Sequence, residues 1–89
     1  TKLFTFEGGA LRLNCSKLAG GSVQVEIQDR RGAPVQGFEL ERCHQVIGDG
    51  FELAVDWEGE PALARLAGTP VRLRLALVDA DVYAFRFGD

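Results

Sequence analysis

Nearly the whole chain alternates apolar and polar residues with a period of two. Phe4 and Phe6 share a face in KLFTF, Leu11, Leu13 and Cys15 share one in GGALRLNC, and Val23, Val25 and Ile27 stand against Gln24, Glu26 and Gln28 in GSVQVEIQD. Successive side chains of a strand point to opposite faces, so each run predicts a strand with one buried and one wet face. EGG, LAGG and DRRGAP separate these runs and read as connections, their glycines supplying positive φ and Pro34 fixing a turn. VQGFEL predicts a short irregular strand with a bulge at Gly37. After a turn at GDG, the residues Leu53, Val55 and Trp57 fall back into phase. The two most regular runs close the sequence. Val71, Leu73, Leu75 and Leu77 alternate with Arg72, Arg74, Ala76 and Val78, then Tyr83, Phe85 and Phe87 resume the beat, which predicts adjacent antiparallel strands joined at VDAD.

One segment breaks the rhythm. In EPALARLAGTP, Leu63, Leu66 and Ala67 recur at spacings of three and four, Pro61 suits a first helical turn and Gly68 a stop, predicting one short helical turn near residues 61–67. Turn signals every 8 to 12 residues or so fit an all-β fold. The expected architecture is a two-sheet antiparallel β-sandwich, jelly-roll-like, forming a single domain over residues 1–89. Arg12, Arg72, Arg74 and Arg86 share the outward phase with Glu26, Glu52 and Asp56, so cross-strand ion pairs on a solvated face account for them.

Composition narrows the function more than it names it. With 89 residues, 46% hydrophobic and 26% charged, the chain has material for one small core. A formal charge of −3, with thirteen acids among ten Lys and Arg, argues against nucleic acid, whose readers carry a basic stripe. No apolar run approaches the roughly 18 residues of a membrane helix.

Candidate chemistry is sparse. Cys15 and Cys43 are too few for a disulfide scaffold or a zinc site, and both read as small buried side chains. Asp49, Asp79 and Asp81 are carboxylates a calcium ion would take, but DAD supplies only two ligands and a turn role is expected; no metal and no cofactor is implied. A glycosidase needs two carboxyl groups about 5 to 9.5 Å apart across a cleft, and the acids here fall in turns or on the charged face. His44, the only histidine, has no readable triad around it. Sugar binding needs an exposed ring with hydrogen-bonding neighbours. Trp57, the only tryptophan, is in phase with the core; as a rim platform it would be joined by Asp56, Glu58 and His44, the alternative carbohydrate site. Tyr83 is expected to be buried with its hydroxyl at the rim, and His44 and Phe51, in loops, are weaker candidates still.

Read in order, GGALRLNC, GGSVQVEIQDRRGAPVQGFELERC, GDGFELAVDWEG and LARLAGTPVRLRLALVDADVYAFRF resemble the C-terminal β-sandwich module of bacterial glycoside hydrolase-like proteins of the five-bladed propeller, invertase and arabinanase type. Thr69 stands where a lysine is usual, and DADVYAF where DADLYSF is common. The resemblance implies an accessory module with no catalytic residue of its own, whose partner is the catalytic domain of the parent protein. It also implies a C-terminal fragment lacking its first strand, with an exposed sheet edge through which two copies would dimerise. Carbohydrate is the other partner expected.

Overall fold

The computed structural model describes residues 1–46 and 50–88. It is mostly β, built on strands β1 (Ala10–Gln28), β2 (Gly50–Val55) and β3 (Arg72–Gly88). These pair antiparallel in the order β2–β1–β3 as one open sheet, where the alternation had suggested two packed sheets. Gly48 and Asp49 of the expected GDG turn lie outside the described residues.

The largest departure from the alternation reading concerns LAGG and VDAD, both of which lie inside strands. β1 runs through Leu18–Gly21, and β3 is a single strand rather than a hairpin. Their ladder runs from Ala10↔Gly88 to Lys17↔Ala80 with one register slip between Asn14 and Cys15, skips, and resumes from Ser22↔Val78 to Gln28↔Arg72. The residues that make turns also make bulges, since both need backbone that a regular strand does not use. Asp79 takes φ 47°, and a Cβ on Gly21 would lie 2.6 Å from the Asp79 carbonyl oxygen, so only glycine lets the strands approach here. A straight 19-residue strand would extend about 60 Å. The longest dimension of the molecule is 35 Å, so the ribbon bends strongly.

That bend brings both halves of β1 into one core. Leu11, Leu13 and Cys15 from the first half and Val23, Val25 and Ile27 from the second are all buried with Phe38, Trp57, Val71 and Leu73. Beyond the reach of β2, the second half of β1 takes the segment 34–46 as its neighbour. Val35 N–H donates to the Ile27 carbonyl, Ile27 N–H to Phe38, and Val46 N–H to Val23. VQGFEL therefore forms an irregular edge rather than a strand, with a single bridge just before it at Gln28↔Pro34 and its last residue opening a short 3₁₀ turn, Leu40–Arg42. The helical turn expected near residues 61–67 is a 3₁₀ turn at Leu63–Leu66, with Leu63 buried and Gly68 at φ 80° after it.

The outward row is less uniform than alternation implied. Glu26 is 3% exposed, covered because its carboxylate accepts the Leu40 N–H (3.1 Å) and the Gln28 amide (2.8 Å), with Arg74 at 3.8 Å. Arg72 is half-buried and its Nε has no hydrogen-bond partner. The solvated arginine face survives at Arg74 and Arg86.

Candidate functional site

Trp57 is a core residue, 3% exposed. Its indole N–H donates to the Val25 carbonyl at 3.0 Å, and its ring meets Phe38 edge-on with centroids 5.1 Å apart. A buried indole with a satisfied N–H has no face to stack on a sugar. Alternation then sends its neighbours outward. Asp56 and His44 form an exposed pair, Nδ1 to Oδ1 at 2.8 Å, and the Glu58 N–H donates to the Arg42 carbonyl. A cleft of about 210 Å³ lined by Asp56, Trp57, Glu60 and Pro61 reaches the tryptophan edge, but His44 and Glu58 do not line it. The structure thus joins Asp56 to His44 at the surface and turns the neighbouring Trp57 ring into the core, because a one-residue step reverses the direction of the side chain.

Cys15 and Cys43 are both buried free thiols. Cys43 Sγ accepts the Val25 N–H at 3.2 Å and donates to the His44 carbonyl. Burial pushes its pKa above the ordinary 9.0; the Val25 hydrogen bond opposes that shift and the nearby Asp56 charge adds to it. Among the described residues, no three His, Cys, Asp or Glu side chains come together as a metal site.

The more developed surface lies on the outer face, where sequence reasoning placed only ion pairs. β1 presents Arg12, Asn14 and Ser16 there, at every second position. Register slips on both sides of β1 at the same level: against β2 between Leu13 and Cys15, and against β3 between Asn14 and Cys15. On β3 the extra residue is Tyr83, since Asn14 pairs with Ala84 and Cys15 with Val82. On β2 the slip falls at Phe51 and Glu52, with Glu52 at φ 57°. Bulges redirect side chains. Phe51 is 81% exposed and Tyr83 70%, the reverse of the burial expected for Tyr83.

Polar groups stand beside these rings. Asn14 Oδ1 accepts the Glu52 N–H at 2.9 Å, and Glu52 Oε1 accepts from both Nε (3.2 Å) and Nη2 (2.8 Å) of Arg86. The hydroxyls of Ser16 and Tyr83 are 3.0 Å apart, a hydrogen bond. Arg12 lies directly opposite Arg86 across the β1–β3 ladder, a like-charge pairing in which the Glu52 carboxylate neutralises Arg86. Two adjoining clefts follow, one of about 240 Å³ with Arg12, Asn14, Glu52 and Arg86 in its wall, and one of about 300 Å³ bounded by Cys15, Ser16, Gly50, Phe51 and Tyr83. No family model, curated protein or solved structure matches the chain.

Proposed function

We propose that the chain is a non-catalytic accessory β-sandwich module of a carbohydrate-active, glycoside hydrolase-like protein, packed against that protein's catalytic domain. In this reading the two halves of the bent β1–β3 ribbon act as the two layers of the sandwich. The observation that supports it is the open flank of the core along β3. Cross-strand partners share a face, so Leu75, Leu77 and Phe85 lie on the core side with Val25, Val23 and Leu13. Those three β1 partners are fully buried, whereas Leu77 is 42% and Phe85 38% exposed. Phe4 and Phe87, half-buried, continue this apolar strip, each with its ring within 6.2 Å of the Phe85 ring.

The backbone along the same flank is open too. Thr1 and Phe4 bond to Leu73 and Val71, and beyond Leu73 no described segment pairs with the outer edge of β3. An edge that offers both an apolar row and unpaired backbone groups is suited to accept another layer. Amide hydrogen exchange measured in the longer protein and in the 89-residue chain tests the reading. Protection of the Leu75, Leu77 and Phe85 amides that appears only in the longer protein is the expected result. Equal exchange in both, or protection that grows with the concentration of the short chain alone, would contradict it, the latter showing that a second copy takes the flank.

A further inference from the structure

We propose that the outer face at the double bulge is a carbohydrate-binding surface, with Phe51 and Tyr83 as stacking rings and Asn14, Ser16, Glu52 and Arg86 as hydrogen-bonding groups. This goes beyond the reading above, which gives the chain a place beside a catalytic domain and no ligand of its own. Its stacking and hydrogen-bonding groups are other residues than the flank's Leu75, Leu77 and Phe85, although Phe85 also lines the cleft of Arg12 and Arg86, and it fails or succeeds separately.

A pyranose or furanose ring has two chemically different parts. Its C–H groups form a weakly polar face, which packs on the electron-rich face of an aromatic ring, and its hydroxyls form a rim that needs both donors and acceptors. The double bulge supplies both. Phe51 and Tyr83 are the two most exposed rings among the described residues, and they bound the same cleft from opposite sides of β1. The Ser16 hydroxyl stands between them, and the Asn14 amide, the Glu52 carboxylate and the Arg86 guanidinium line the neighbouring cleft. The Glu52–Arg86 pair presents acceptor and donor atoms side by side, which suits adjacent hydroxyls on one sugar.

The rings are also held in advance. Tyr83 is anchored at its Cα on β3 and at its hydroxyl on β1 through Ser16, so little freedom is lost on binding. Glu52 keeps a left-handed backbone that disfavours any residue but glycine, Asn or Asp. Neighbouring strands hold that conformation, and it is the conformation that turns Phe51 outward, which fits the concentration of such strain at binding sites. A protein partner fits this surface less well, because a stable protein interface has an apolar core within roughly 1,200–2,000 Å², and here the ring cleft of about 300 Å³ gives way to the Asn14, Glu52 and Arg86 side chains of the neighbouring cleft.

The test uses the isolated 89-residue chain, because the clefts are formed within it, and affinity electrophoresis together with NMR titration. Xylohexaose and cellohexaose serve as neutral probes and hexagalacturonate as an acidic one. Binding of at least one, with shifts centred on Asn14, Ser16, Phe51 and Tyr83, is expected; a preference for hexagalacturonate assigns the arginines to a carboxylate, and a preference for a neutral probe assigns them to hydroxyls. Phe51→Ala and Tyr83→Ala should each weaken binding about tenfold, while Trp57→Phe leaves it unchanged. Both rings are exposed, so their removal leaves the fold intact, which the amide spectrum checks. Absence of binding to all three probes, or binding that neither alanine variant weakens, overturns the proposal. So does self-association that both variants abolish without any glycan effect.

Discussion

The thiol of Cys43 lies where the segment 34–46 meets β1, accepting one backbone N–H and donating to one carbonyl. Its pKa is raised from 9.0, chiefly by burial. An acid whose folded pKa lies above its unfolded value contributes stability that is complete below the unfolded pKa and lost as pH rises toward the folded one, because the unfolded chain ionises first. Urea midpoints should therefore fall as pH passes above about 9, and Cys43→Ala should lack this component of the fall. Equal pH slopes in the two proteins would show that the thiol is not protected by the fold. Phase placed Trp57 and Cys15 inside, and the general burial of cysteine placed Cys43 there. Phase failed for Tyr83, because one extra residue in a bulge reverses the parity of what surrounds it, and for Glu26, because the residues that cover it come from a loop 14 positions away.

The bend at Leu18–Gly21 is what turns alternating runs into one strand with two working halves. Gly21 and Gly20 sit side by side there with different demands. A Cβ at Gly21 meets three backbone oxygens within 2.9 Å, whereas Gly20, at φ 79°, has nothing within 4 Å. Gly21→Ala should cost about 1–3 kcal/mol or more, as overpacking does, and Gly20→Ala about 1–2 kcal/mol for its left-handed backbone. Chemical denaturation ranks them, and a milder effect at Gly21 would mean that the strands do not approach so closely. Strand existence was legible at Leu11–Cys15, Val23–Ile27 and Leu53–Val55, and so was the helical turn at Leu63–Leu66. Continuity was not. LAGG and VDAD carry the composition of turns, and nothing local distinguishes a chain that reverses from one that bulges; the distinction lies in the match between the two segments, which only pairing reveals. The outer-face site was hidden for the same reason, since two bulges had to coincide at Asn14–Cys15 before Phe51 and Tyr83 flanked one cleft.

Across the whole molecule, the bent ribbon has two faces with different uses. Its inner face is sealed under β1 and open along β3, and its outer face carries the rings and the Glu52–Arg86 pair. Both proposals require β3 to be a single strand. If Arg72–Val78 and Val82–Gly88 instead folded back on each other, the open flank would be filled and Tyr83 would lose its place opposite Asn14 and Cys15. Cross-strand nuclear Overhauser contacts between backbone protons decide between these arrangements most directly. A single continuous β3 gives contacts linking Val25 to Leu75 and Asn14 to Ala84, with none between Leu75 and Phe85. Contacts between Leu75 and Phe85, with those to β1 missing from either half, would contradict it.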